Sequence, residues 1–116
     1  ANTRSYDGLA GEDTLVLRKG EGIDFATDRS IFNIEKIDMT VSGANSLTHI
    51  TWEDVAAMTD PSTHDLYILG DGSDSVQFAS TGWSKSSPGG AYDEYTNTND
   101  VTIKVYVQTA INDTIV

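Results

Sequence analysis

Leu66–Phe78 reads LYILGDGSDSVQF, two short apolar runs around the acidic turn Gly70-Asp71-Gly72-Ser73-Asp74. Strand-forming residues on either side of a Gly/Ser/Asp cluster predict strand, turn, strand. The glycines allow the backbone to bend at positive φ. Asp71 and Asp74 bring two carboxylates into the bend. A turn of this kind is either a solvated polar corner or half of a calcium site.

The same texture extends outward in both directions. Upstream, Thr14–Leu17, Ile23–Phe25 and Leu47–Ile50 are short apolar runs between polar turns. Ile34–Val41 alternates, with Ile34, Ile37, Met39 and Val41 against polar neighbours, and the alternation slips at Glu35-Lys36. Downstream, Trp83–Gly90 reads as a loop or hairpin connection. Ala91–Tyr95 and Val101–Val107 read as the arms of an antiparallel hairpin turned by the Asn/Asp-rich Thr96–Asp100. In Val101–Val107 the alternation sets Val101, Ile103, Val105 and Val107 on one face.

One helix interrupts the strands. Thr51 precedes Trp52-Glu53-Asp54 in a capping-box-like start, with two acids in the first turn where the helix dipole favours them. Asp60-Pro61 ends it. Two turns of helix are not stable alone in water, so packing through Trp52, Val55 and Met58 must hold them.

The class is therefore mostly β. Turn clusters recurring through the first two-thirds favour a short β-solenoid or β-roll-like stack, with one short helix and a C-terminal antiparallel hairpin. A β-sandwich is the alternative, because short strands with polar turns serve both. Gly8–Val16 (GLAGEDTLV) and Leu69–Gln77 (LGDGSDSVQ) each match the calcium-binding nonapeptide G-G-x-G-x-D-x-U-x with one leading glycine replaced. In that pattern Asp13 and Asp74 take the Asp slot and Leu15 and Val76 point into the core. The candidate Ca²⁺ ligands are Asp13, Asp71, Ser73 and Asp74, all hard oxygen donors. Asp93, Glu94, Asn97 and Asp100 form a second oxygen-rich group at the hairpin.

Charge and composition exclude several functions. The 116 residues carry 18 Asp+Glu against 7 Lys+Arg, a formal charge of -11, which argues against nucleic acid and anionic membrane surfaces as partners. There are no cysteines, so neither disulfides nor a thiolate nucleophile is available. No apolar run is long enough for a membrane-spanning helix, and Ala1 onward does not read as a signal peptide. Residues 1–10 read as a linker and 11–116 as one domain; a chain starting at Ala1 reads as a fragment of something longer.

No catalytic constellation emerges. His49 and His64 are the two histidines, and Ser62, His64 and Asp65 are too close in sequence for a relay. The many acids supply pairs without discriminating any one of them. Trp52 and Trp83 are candidates for a carbohydrate-stacking platform, against the simpler reading that both pack the core.

The motifs GEDTLVL (Gly11–Leu17), NIEKIDMT (Asn33–Thr40), GANSLTHITWEDVAAMTD (Gly43–Asp60), LYILGDGSDSVQF and Gly82-Trp83 occur in one order. With Tyr92, Tyr95 and Tyr106 in the closing hairpin, they resemble the C-terminal region of large repeats-in-toxin (RTX) adhesins exported by type I secretion. The resemblance covers about Gly11–Val107; Leu9 departs from it in a glycine position. It implies a non-enzymatic module of a secreted or bacterial cell-surface protein. Its partners would be the upstream calcium-ordered RTX repeats of the same chain and the type I secretion machinery. The alternative is a calcium-dependent module that binds glycan or protein.

Overall fold

The computed structural model describes residues 5–7, 14–17, 22–26, 30–32, 34–40, 43–59, 65–79, 82–86 and 90–115. In chain order the elements are β1 (Ser5–Asp7), β2 (Thr14–Val16), β3 (Gly22–Asp24), β4 (Ser30–Phe32), β5 (Lys36–Asp38) and β6 (Ser46–Ile50). Then come α1 (Trp52–Met58), β7 (Asp65–Leu69), β8 (Ser75–Phe78), β9 (Trp83–Ser86), β10 (Tyr92–Asn97), β11 (Asp100–Gln108) and β12 (Asn112–Ile115). The fold is mostly β, as the residue pattern predicts. β1 falls inside the stretch read as a linker and pairs with β4 in parallel.

The chain alternates between two sheets. One has the order β2-β5-β7-β11-β10-β9 and the other β12-β8-β6-β3. Each passage from β2 to β3, β5 to β6, β7 to β8 and β11 to β12 crosses from the larger sheet to the smaller. Every pairing in the smaller sheet is parallel. So are β2–β5, β5–β7 and β7–β11 in the larger. Among the described residues antiparallel pairing is confined to β9, β10 and β11, which is not the antiparallel wiring of an immunoglobulin-type sandwich.

Register explains how such short strands hold. Because side chains alternate faces, in-register stacking puts like residues above one another. Leu15, Ile37, Ile68 and Val107 form one inward row, and all four are buried. Ile23, Leu47 and Val76 form the facing row in the smaller sheet. Each full burial of such a side chain contributes about 1.5–3 kcal/mol. Leu66, Ile68, Val76 and Phe78 of the central stretch are all in the core, at 0–1% exposure.

The helix forms as its sequence predicts. Thr51 accepts from the Asp54 N–H, and the Asp54 carboxylate accepts in return from the Thr51 N–H at 3.0 Å. Val55 and Met58 are buried, with Trp52 packed against the core. The Ile34 N–H donates to the Met58 carbonyl at 2.8 Å and ties the helix to the approach to β5. Glu35 is buried beside Ile34, so the alternation does slip where the sequence says.

Three details differ from the residue pattern. Val101 is 81% exposed although it alternates with buried Ile103. The reason is a slip in register: β10 pairs Thr96 with Lys104 and then Asn97 with Asp100, so Val101 falls in the irregular stretch with no partner on β10. Trp83–Ser86, expected within a connection, is a strand paired with β10. Among the described glycines, positive φ occurs at Gly43 and Gly82 and not in the Gly70–Asp74 turn. Gly70 is needed there for space, since a Cβ would stand 2.7 Å from an Asp74 carboxylate oxygen.

Candidate functional site

Two groups of acidic side chains are organised by the fold. The first is the turn between β7 and β8. Asp74 is fully buried, and its two carboxylate oxygens are both engaged by amides. Oδ1 accepts the Asn45 N–H from the neighbouring pass at 3.0 Å, and Oδ2 accepts the Asp71 N–H at 2.8 Å. Asp71 Oδ1 accepts the Ser73 hydroxyl at 2.6 Å and the Ser73 N–H at 2.9 Å. Those two bonds, the hydroxyl first, hold the Asp71 carboxyl below the ordinary carboxylate range. The Asn112 side chain donates to the Gly72 carbonyl at 2.9 Å, tying the turn to the pass beyond.

The turn therefore spans three successive passes, from Asn45 through Asp74 to Asn112. Of the four candidate Ca²⁺ ligands, Asp71, Ser73 and Asp74 are brought together here, and Asp13 lies outside the described residues. Their oxygens face backbone donors and one another. Among the described residues no three of His, Asp and Glu converge to hold a metal ion. What this geometry does chemically is satisfy buried amides: an unpaired buried N–H costs about 1–3 kcal/mol, and one carboxylate serves two.

The second group joins the hairpin arm to the last strand. Lys85 on β9 reaches Asp113 on β12, Nζ to Oδ1, at 3.0 Å, and Asp93 on β10 at 3.5 Å. The two carboxylates are only 7% and 10% exposed, whereas the lysine is 37% exposed. The hydrogen bond to Asp113 is the largest cause holding the Lys85 ammonium above its ordinary value, and the charge of Asp93 adds to it. Tyr95 is fully buried, and its hydroxyl faces Asp113, but neither the hydroxyl nor Asp113 Oδ2 makes a hydrogen bond of full geometry. Burial first pushes the Tyr95 phenol well up; the charge of Asp113, the contact of the phenol with that carboxylate and the charge of Asp93 push it further. Lys85 and Asp113 are not singled out by any sequence motif; the signal that marks them is Asp113 falling in an inward register of an otherwise apolar row.

The remaining candidates are dispersed. Asp93 and Asn97 point inward and are buried, while Glu94 lies between them on the other face. Asp100 Oδ1 accepts the Thr102 N–H at 3.0 Å. The oxygen-rich hairpin group thus does not converge on one point. His64 lies outside the described residues. His49, at the irregularity in β6 with φ 58°, contacts Asp24 Oδ1 through Nδ1 at 2.7 Å. The Ala26 N–H first, then His49, holds the Asp24 carboxyl below its usual range.

The aromatic residues separate into an inner and an outer set. Inside, Phe78 stacks on Tyr95 at 4.0 Å and meets Trp83 at 4.9 Å, which takes both rings out of any surface platform. Outside, Tyr67 and Tyr106 stack at 4.7 Å across neighbouring parallel strands, with Tyr92 edge-on to Tyr67 at 5.7 Å. Their faces are taken up by each other, as in a cross-strand aromatic ladder, rather than laid flat as a stacking surface. Burial first, then Asp65 and Glu94, raises the Tyr106 phenol above its ordinary value.

Among the described residues no helix is long and apolar enough to cross a membrane. A scan against protein-family models finds no match, and searches of curated proteins and of solved structures find no similar chain.

Proposed function

We propose that the chain is a non-enzymatic end module: a short β-solenoid-like stack closed at one end, within a secreted adhesin of the RTX type. The observation that carries this reading is the in-register parallel stacking of four passes, ending in an antiparallel arm. A stack of this kind is quasi-one-dimensional, and each pass is stabilised mainly by its neighbours. β2 and β3 are the terminal strands of their sheets at one end, where further parallel passes can continue the same inward rows. The arm of β9 and β10 lies at the other end. Upstream calcium-binding repeats would dock on the β2–β3 end and gain a folded template.

In this reading Ca²⁺ acts chiefly on the upstream repeats. The Asp71–Asp74 turn satisfies its carboxylates with amides and a hydroxyl, so its acidity serves the stack. The formal charge of -11 adds mutual repulsion that slows compaction of the exported chain until cations or docking offset it. Type I export and folding outside the cell would then be coupled through the repeats and templated by this module.

The test compares thermal melting of two chains, followed by circular dichroism, in chelator and in millimolar Ca²⁺. One is the module alone; the other carries tandem nonapeptide repeats ahead of β1. The module alone is expected to fold in both conditions, and the longer chain to melt as one cooperative unit in Ca²⁺ only. Separate transitions in Ca²⁺, unmoved by deleting the module, would remove the capping role.

A further inference from the structure

The two ends of the stack are built differently. At one end β2 and β3 finish their sheets together. At the other, the larger sheet carries β10 and β9 beyond β11, whereas the smaller stops at β12. Two extra strands put the edge of the larger sheet roughly 10 Å beyond that of the smaller. A pass of the β2–β3 kind, with its strands at one level, cannot pair with both edges at once.

The inward row of the smaller sheet carries a second asymmetry. Ile23, Leu47 and Val76 are followed in register by Asp113. Its carboxylate is held by Lys85 from the overhanging arm. A further strand laid on β12 would set an apolar side chain against this buried carboxylate and strip the ion pair of water. Inward-pointing charge is a means by which sheet edges resist pairing, and burying charge without full compensation is costly. Head-to-tail addition of copies does not close on itself and yields filaments, so a stack with one receptive end needs such a block.

We propose that Asp113, held by Lys85, and the β9–β10 overhang block this end of the stack against the β2–β3 end of a second copy of the chain. Growth is thereby confined to the β2–β3 end, where the upstream segment of the same chain docks. This rests on the stacked reading given under Proposed function.

The chain has no cysteine, so introduced thiols report contacts cleanly. In a head-to-tail pair continuing the register, Thr114 of one copy would stand opposite Asp24 of the next. Thr114→Cys and Asp24→Cys chains are mixed and oxidised, with Asp113 present or in a Lys85→Met/Asp113→Val background. Little mixed disulfide is expected with Asp113, and at least tenfold more in the variant, together with concentration-dependent assemblies in sedimentation velocity. Equal yields in the two backgrounds overturn the block, as does a variant that stays monomeric with unchanged circular dichroism. If the variant does not fold, the background with Asp113 decides: ready crosslinking there overturns the proposal and its absence supports it. Ser46→Cys/Ser75→Cys within one chain tests the stack itself. If that crosslink fails, the underlying reading is wrong, whereas its formation alongside equal intermolecular yields rejects the block alone.

Discussion

The Gly70–Asp74 turn and the Lys85–Asp93–Asp113 group both bury carboxylates, and they do so by opposite means. In the turn, Asp74 meets two backbone amides, neutral donors fixed by the strands around it. In the arm, Asp113 meets the ammonium of a long, partly exposed side chain and turns its other oxygen to the Tyr95 hydroxyl without a hydrogen bond of full geometry. The first arrangement lies inside the set of parallel passes: at the crossing from β7 to β8 it joins the pass of Asn45 to that of Asp74 and on to that of Asn112. The second occurs where the stack stops. Satisfaction by amides is insensitive to salt and to alkaline pH. Satisfaction by an ion pair is sensitive to both.

The largest separation of the two should come from removing Asp74. Asp74→Ala takes the acceptor from the buried Asn45 amide and from the part-buried Asp71 amide, and a loss of about 3 kcal/mol is expected. Asp74→Asn keeps one acceptor and turns an NH₂ toward a donor, so about 2 kcal/mol is expected. Denaturant unfolding monitored by circular dichroism measures both. If Asp74→Ala costs less than Lys85→Met, the turn does not organise the stack.

Lys85→Met comes next. It leaves two mostly buried carboxylates without their cation, which in a fully buried pair is strongly destabilising. The lysine is 37% exposed, and solvent screening cuts the value, so about 1–2 kcal/mol is expected. Salt should narrow the gap between wild type and this variant while leaving the Asp74→Ala gap unchanged.

How much of this was legible in the residues follows from the same contrast. The strand–turn–strand of Leu66–Phe78, the capped helix and the closing hairpin rest on local rules: alternation, N-cap chemistry and turn residues. Those rules act within a few positions and can be read directly. Asp74's role depends on Asn45, far upstream, and only stacking brings them together. The Lys85–Asp113 pair spans the arm and the last strand, and neither residue belongs to a motif. What could have exposed it is the apolar row itself: once Ile23, Leu47 and Val76 are aligned, Asp113 stands out. Val101 was misread for a related reason, because alternation assigns a face but not whether a neighbouring strand reaches it.

pH separates the two groups, because they act on opposite limbs of the stability profile. The folded-state value of Lys85 is raised, so its stabilisation is fully present below the ordinary lysine value of about 10.4. It is lost as pH climbs through the folded value. The melting curves of wild type and Lys85→Met should therefore converge above about pH 10.4. The raised tyrosines, Tyr95 and Tyr106, lower the stability of both proteins over the same range; Tyr106, away from Lys85, cancels in the difference, and a Tyr95→Phe background removes the Tyr95 share. On the acid side the sign reverses. Asp71 is lowered, so its contribution is present above about pH 3.9 and lost as pH falls through the folded value. Ser73→Ala should flatten that acid limb and leave the alkaline one untouched; a change in the alkaline limb would mean the two groups are coupled.

The smallest expected effect is the most discriminating about the arm. Tyr95 is wholly buried, its ring stacks on Phe78, and its hydroxyl faces Asp113 without a hydrogen bond of full geometry. Removing an unsatisfied buried hydroxyl while keeping the ring relieves a desolvation penalty, so Tyr95→Phe should be neutral or stabilising by up to about 1 kcal/mol. The hydroxyl also lies near Asp113 and Asp93, whose charges push its ionisation upward. If Tyr95→Phe instead loses more than about 1 kcal/mol, the phenol must donate to Asp113 Oδ2 in solution. The carboxylate would then be held by two partners, and the contrast with Asp74 would narrow to the kind of donor. A double-mutant cycle of Tyr95→Phe with Lys85→Met resolves this: additivity leaves the ion pair as the sole support of Asp113, and coupling assigns the phenol a share.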